Sequence, residues 1–194
     1  MTERSIQRIF DVVIAGIGLI LLFPVGLLIA LSLKLSDFGP VFYRQARVGQ
    51  FGRPFHIWKF RSMVVDADKL GVLLTQAEDP RITRIGRLLR TTKLDQLPQL
   101  WNVLIGDMSF VGPRPERPEF VPWLSENIPY FDLRHMIRPG LTGWAQVRYG
   151  YGSTLEEARE KLEYDLYYIK NESLYLDLLI LLRTVAVVLK LAGT

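Results

Sequence analysis

The apolar and polar positions divide this chain into one long uncharged block and a series of shorter patterned segments. Residues 12 to 33, VVIAGIGLILLFPVGLLIALSL, are 22 positions with no charge and Ser32 as the only hydroxyl. At 1.5 Å per residue that is about 33 Å of helix, against a hydrocarbon layer roughly 30 Å thick. Arg4, Arg8 and Asp11 precede the block and Lys34 and Asp37 follow it, so the charge bias that would orient a span is weak. Pro24 lies near the middle, where it removes a backbone donor and clashes with the carbonyl four residues earlier; a kink is expected. From the block alone four readings stand: a straight transmembrane helix, a kinked hairpin that enters one leaflet and returns, a very hydrophobic core helix, and a cleaved signal peptide. The last is disfavoured by the length and by the lack of an A-x-A site. Membrane attachment is the expectation, with its topology open.

Beyond the block, residues 41 to 60, VFYRQARVGQFGRPFHIWKF, alternate apolar and polar side chains around GQFG, which predicts a two-stranded hairpin. A short helix is expected from Val64 to Leu70, and LLTQAEDPR, ending in Asp79-Pro80, reads as a loop. Arg81, Arg84, Arg87 and Arg90 recur every three residues, with Ile85, Leu88 and Leu89 as an apolar set, so a basic helix should begin near Thr83. Pro98 opens a further helix through Leu100, Trp101 and Leu104, which Gly106 ends. Pro113, Pro115 and Pro118 impose a largely non-helical run, and Arg138-Pro139-Gly140 and Gly150-Tyr151-Gly152 mark further loops. Thr154 and Glu157 form a capping-box signal for a helix from Leu155 to about Tyr168, with Leu155, Ala158, Leu162 and Leu166 as its apolar stripe. The last segment, Leu174 to Leu191, is apolar apart from Asp177 and Arg183, and reads as a core helix or as one lying against a bilayer surface. The fold class is α+β: a compact, mainly helical domain with a small β-hairpin.

A length of 194 residues suits one domain. Without cysteine there is no disulfide scaffold, thiolate chemistry or cysteine-ligated metal, and two histidines do not by themselves make the usual zinc site. A metal here would be a hard, oxygen-ligated ion such as magnesium, Mg2+. The net charge of +4 sits in the middle: residues 81 to 154 hold ten Lys/Arg and six Asp/Glu, while the flanking parts cancel. Arginines on proline- and glycine-rich loops make bidentate contacts to phosphate, as in a nucleotide diphosphate, a lipid phosphate or a nucleic acid. For a single arginine, solvation or an internal pair with Asp107, Glu116, Glu119 or Asp132 competes with that role. Anionic headgroups alone also suit a juxtamembrane basic patch. Nucleic acid is the least favoured partner, since no zinc finger, RNP-like segment or basic zipper accompanies the apolar block. No P-loop occurs, and Gly16 and Gly18 fall inside the apolar block rather than after a strand.

Asp95 and Gln96 stand between the basic helix and the helix opened by Pro98. An acid among arginines is commonly a structural ion-pair member; the functional readings are a magnesium ligand beside a phosphate or a carboxylate that attacks phosphorus. His135, between Arg134 and Arg138, contacts phosphate, carries a proton or simply packs, and His56 sits inside the alternating strand.

Five stretches taken together resemble a known family: the apolar block with its internal proline, FHIWKFRSM, KLDQLPQLWNVLIGDMSFVGPRP, RPGLTGWAQV and YDLYYIKNESLYLDLLILL. In this order, from residue 7 to about 190, they are similar to the bacterial polyprenyl-phosphate sugar-phosphate transferases, the monotopic phosphoglycosyl transferases. PRPERPEFV followed by RYGYG further resembles the exopolysaccharide, exosortase-associated branch.

The resemblance implies an N-terminal re-entrant membrane helix over residues 1–38, broken at Pro24, and a catalytic domain over 39–194 on the cytoplasmic face of the bacterial inner membrane, with amphipathic surface helices. In the family a serine usually precedes that proline; here it is Phe23. The implied reaction moves a sugar-1-phosphate from a UDP-sugar to polyprenyl (undecaprenyl) phosphate through a covalent aspartyl intermediate, in a bilayer, with magnesium as cofactor and a homodimer allowed. Asp95 matches the family nucleophile. Its neighbour in the family is glutamate, whereas Gln96 is a neutral amide that is no general base near pH 7 and a weaker metal ligand. A catalytically silent, membrane-attached scaffold or substrate-binding protein is therefore the alternative. Asp107 is a further candidate for magnesium, with Asp95. Arg114 leads the candidates for substrate phosphate, followed by Arg90, Arg138, Arg148 and Lys59. Trp144, Tyr149 and His135 are candidate nucleotide or sugar contacts.

Overall fold

A computed structural model describes residues 3–67, 79–149 and 154–189. The first element, α1, runs Glu3–Asp37 as one continuous helix through Pro24. One stripe of α1 is packed on the rest of the chain along its whole length. Arg4 meets Glu172, Gln7 donates to Tyr168 and Asp177, and Arg8 donates to the carbonyls of Val103 and Leu104. Further along, Ala15 packs with Ile57, Val103 and Met108, while Ile29 and Leu33 pack with Phe60 and Leu89. Asp37 closes the stripe on Arg61. These positions follow helical spacing, and the opposite face leaves Ile9, Val13, Ile17, Ile20, Leu21, Phe23, Leu28 and Leu31 exposed.

The hairpin forms as its alternation predicts, with β1 at Phe42–Val48 antiparallel to β2 at Pro54–Phe60 and Arg47 opposite Phe55. Its turn holds Phe51 at φ 57° and Gly52 at φ 72°. No α-helix follows at Val64: the described part, Val64–Ala67, is a turn with Asp66 at φ 63°, and the remainder of that expected helix and most of the loop after it lie outside the described residues. The basic helix, α2, is Arg84–Thr91, capped by the Thr83 hydroxyl, which accepts from the Gly86 amide. Gly86 lies so close to β2's exit that a Cβ would stand 1.9 Å from the Ser62 carbonyl oxygen, which fixes glycine there. Leu88, expected in the apolar set, is exposed at 63%, because the packed face of α2 meets Ile29, Leu33 and Phe60 through Leu89 and Ile85.

Helix α3, Gln99–Ile105, starts after Pro98 and ends at Gly106, φ 97°. Two short parallel strands then meet, β3 at Ser109–Val111 and β4 at Gly140–Thr142. Their three-residue length leaves no period for the sequence to display. Between them lie the proline run, α4 at Val121–Asn127, and a 3₁₀ segment at Phe131–Met136. A five-residue α5, Trp144–Arg148, leads to α6 at Leu155–Lys170, whose Thr154–Glu157 capping box is complete. The predicted stripe of α6 packs against Leu124, Ile128 and Phe131. The final described helix, α7, is Leu174–Leu189, and the expected extension to Leu191 lies outside the described residues, as do Gly150-Tyr151-Gly152. Its Leu176 and Ile180 join a core with Val111, Ile137 and Tyr168. The fold is α+β, mainly helical with one small antiparallel hairpin.

Candidate functional site

Alternation along β1 and β2 puts Arg47, Ile57 and Lys59 on one face of the hairpin, because cross-strand partners share a face. That face forms one wall of an open cleft of about 290 Å³. Gln96 and Gln99 form the second wall, with Arg114-Pro115 and Gly140-Leu141 completing it. Four segments distant in sequence therefore converge, and three of the lining side chains are cationic.

Asp95 is placed beside this cleft by a local break. Lys93 adopts φ 60°, stopping the helical run of α2, and Leu94–Gln96 forms a single 3₁₀ turn before Pro98 starts α3. Asp95 is 7% exposed, and its Oδ1 is buried without a hydrogen-bond partner. Burial pushes its carboxyl above the ordinary range, while Lys59, Arg90 and Lys93 pull the other way. Burial and the neighbouring Arg114 and Arg47 push the Lys59 ammonium down to about 7, with Asp95 opposing. Arg47 is likewise lowered to about 10, first by burial and then by Arg114. Three basic side chains gathered beside an unsatisfied carboxylate oxygen give the cleft the chemistry to receive a polyanion.

The loop carrying Arg114 is held by backbone and by a buried cation. Gly140 N donates to Pro113 O at 2.9 Å, Arg47 Nη1 to Pro115 O at 3.0 Å and Val48 N to Glu116 O at 2.9 Å. Arg134, 6% exposed, donates to Arg114 O at 2.9 Å, to Asp165 at 2.8 Å and to Glu116 at 3.3 Å. A Cβ on Gly140 would stand 2.2 Å from the Gly112 amide nitrogen, so β4 reaches the proline loop only as glycine.

Of the remaining sequence candidates, Arg90 lies near Asp95 and donates to Ser62 Oγ at 2.8 Å. Asp107 stands past the C-terminal end of α3, bonded by Asn102 at 3.2 Å, so the seven-residue helix separates it from Asp95 at the other end. Arg138 is also at that far end: it donates to Gly106 O at 3.1 Å and lines a different cavity with Arg4, Gln7 and Ser109. His135 lies 3.6 Å from Asp132 and edge-on to Phe131, with burial lowering its imidazole. Trp144 and Arg148 lie together on α5, and Tyr149 tilts against Tyr164. None of these last four lines the cleft.

Arg47, Gln99 and Arg134 belong to the site and were not singled out from the sequence. Arg47 was legible in principle, since it shares the two-residue parity that puts Lys59 on the same hairpin face. Among the described residues no group of three or more His, Cys, Asp or Glu is placed to hold a metal. Asp95 Oδ1, free of protein donors, fits the single carboxylate through which magnesium is held when substrate phosphates and water complete its shell. The Gln96 amide oxygen is the neighbouring, weaker donor.

Residues 2–191 match the profile of the bacterial sugar transferase family. A UDP-N-acetylgalactosamine-undecaprenyl-phosphate N-acetylgalactosaminephosphotransferase of Aeromonas hydrophila is 45% identical over 184 residues, covering 95% of this chain and 44% of the relative. A UDP-glucose:undecaprenyl-phosphate glucose-1-phosphate transferase of Escherichia coli is 45% identical over 186 residues, 94% of this chain and 40% of the relative. The exopolysaccharide production protein PSS of Rhizobium leguminosarum is 42% identical over 189 residues, 94% of each chain. The chain thus spans less than half of the first two relatives and nearly all of the third.

Proposed function

The chain belongs to the bacterial sugar transferase family, and on that premise we propose that it moves a sugar 1-phosphate from a UDP-sugar to polyprenyl phosphate, with Asp95 as nucleophile. The observation that carries this reading is the buried Asp95 carboxylate, with an unpartnered oxygen, beside a cleft lined by Arg47, Lys59 and Arg114. A carboxylate oxygen of Asp95 attacks the sugar-linked phosphorus, and the bond to the UMP oxygen breaks. UMP leaves, and the sugar phosphate remains on Asp95 as an acyl phosphate. An oxygen of the lipid phosphate then attacks the same phosphorus, the Asp95–phosphorus bond breaks, and the product is a polyprenyl diphosphate sugar.

Lys59, Arg47 and Arg114 carry the charge of the donor diphosphate, and their fixed positions supply the stabilisation that phosphoryl transfer needs. Magnesium, if bound, would be held by the Asp95 carboxylate with the Gln96 amide oxygen as a weaker neighbour, and would supply charge neutralisation for the donor phosphates. Arg134 acts through the loop rather than on substrate. Gln96 stands where the family resemblance puts a glutamate, so the acid-base function of that position is missing and turnover is reduced rather than abolished.

Membrane attachment follows from the outer face of α1. A helix packed on the same domain from Arg4 to Asp37 cannot also cross a bilayer with that domain on one side, which supports a monotopic arrangement; the re-entrant form and the cytoplasmic side of the domain are what the family resemblance implies. Single cysteines at positions 2 and 34, labelled in intact cells, test it: a label reaching position 2 from outside while position 34 stays protected overturns the arrangement.

For the reaction, the purified chain in lipid is given a panel of UDP-sugars and undecaprenyl phosphate, with UMP and lipid product resolved by mass. Asp95-dependent UMP release with a phosphosugar adduct on Asp95 supports the proposal. Binding of UDP-sugar without release, even after Gln96→Glu, supports the silent scaffold instead.

A further inference from the structure

In its described length α7 carries two charged side chains, Asp177 and Arg183. Asp177 is buried and bonded by Tyr168 at 2.7 Å and Gln7 at 3.0 Å. Arg183 is half-buried, its guanidinium carbon 5.2 Å from the centre of the Trp144 ring. Arg148, from α5, brings a second guanidinium to 5.0 Å from the same ring. Tyr167 of α6 stacks on that indole, the ring centres 6.2 Å apart. Three helices therefore converge on one tryptophan, and neither arginine has a carboxylate within ion-pair distance among the described residues.

Each guanidinium gains from the ring face, but two like charges gathered at one indole repel unless an anion joins them. The surroundings say which anion. Tyr175, Leu178, Leu182 and Val185 follow helical spacing and are 78%, 57%, 62% and 57% exposed, an open apolar face adjoining Arg183. Tryptophan and arginine beside an open apolar helix face are the arrangement found at the headgroup level of a bilayer, where guanidinium forks meet phosphate oxygens. None of the three residues lines the Asp95 cleft, so the donor diphosphate does not account for them.

We propose that Trp144, Arg148 and Arg183 form a binding site for the phosphate of a lipid headgroup, separate from the Asp95 cleft, which seats the apolar face of α7 on the membrane surface. The proposal rests on the reading that α1 lies in a bilayer.

The test uses the full chain in phosphatidylcholine nanodiscs that contain equal, small mole fractions of brominated phosphatidylglycerol or brominated phosphatidylcholine. Tryptophan quenching is recorded for the wild type, Arg183→Gln, Arg183→Lys and Trp144→Phe. The expected result is stronger quenching by the anionic lipid in the wild type and in Arg183→Lys. In Arg183→Gln that local enrichment falls about fivefold, the weight of one basic residue at a lipid surface, and Trp144→Phe removes the quenching component that depends on lipid charge. Unlabelled undecaprenyl phosphate that reverses the anionic quenching at a far lower mole fraction assigns the same phosphate site to the acceptor lipid. Equal quenching by both lipids in the wild type overturns the proposal without any variant, as does an anionic preference that survives in both Arg183→Gln and Trp144→Phe. Absence of quenching by either lipid overturns the bilayer reading beneath it.

Discussion

Arg134 donates a hydrogen bond to the backbone carbonyl of Arg114 at 2.9 Å, so a buried cation that never reaches the cleft positions one that lines it. The same guanidinium holds Asp165 of α6 and Glu116 of the proline loop. Arg134 keeps its charge because those two carboxylates offset the cost of burial, and Glu116 is held below the ordinary carboxylate range.

Replacing Arg134 by Met should therefore destabilise the fold by about 3–5 kcal/mol, the cost of leaving buried carboxylates unpaired. Adding Asp165→Asn should recover part of that loss. Urea unfolding of the single and double variants measures both, and a single variant as stable as wild type would mean that the network holds nothing in place.

Asp95→Asn should lower UMP release by on the order of 10⁴-fold or more, as loss of a nucleophile does. It should also raise the melting temperature, since burial disfavours the ionised carboxylate and asparagine removes that penalty. A thermal melt beside the activity assay checks the two halves independently.

Gln96→Glu restores a second carboxylate at the cleft with little change in volume. Turnover should rise by about 10²–10⁴-fold if proton transfer is the missing role, with the fold stability unchanged. Equal or lower turnover of the glutamate form would remove Gln96 from its assigned role.

Arg114→Ala should raise the KM for the UDP-sugar while leaving the chain in the membrane fraction. Parallel loss of donor turnover and membrane association would mark Arg114 as structural instead.

Burial pushes the Asp177 carboxyl up to about 6, against the lowering effect of the Tyr168 and Gln7 hydrogen bonds. Between an unfolded value of about 4 and that folded value, the native state holds the proton and the unfolded state does not. Its contribution is present in full below about pH 4, is lost as pH rises through that interval, and stays lost above about pH 6. Asp177→Asn should flatten the pH dependence of stability over this interval and be more stable than wild type at pH 7.5, with little difference at pH 4. Urea midpoints across this range make the comparison.

Local chemistry made much of the fold legible. The 22-residue uncharged block, the hairpin around GQFG, the starts at Thr83 and Pro98 and the Thr154–Glu157 box each carry their own signal within a few residues, because capping, turn geometry and side-chain period act over one or two turns. Asp95 and its neighbour were legible for a different reason, the resemblance of KLDQLPQL in its setting to a family motif; as an isolated acid among arginines it had no distinguishing pattern.

Other features depended on contacts between distant segments. The strands β3 and β4 are three residues each and pair across the whole of α4, so no periodicity announces them. Arg47 and Arg138 are both arginines near glycine, yet strand parity turns Arg47 into the cleft while the connection before β4 sends Arg138 to the far end of α3. Asp107 follows Asp95 by only twelve positions, but α3 lies between them. Sequence by itself determined the long apolar helix, the hairpin and the capped helices, since those choices are made by neighbouring residues. Which of the many arginines face Asp95, and that α1 packs on the domain at both ends, was decided only by the tertiary structure, because burial and electrostatic partners are set by residues that the chain brings together from far apart.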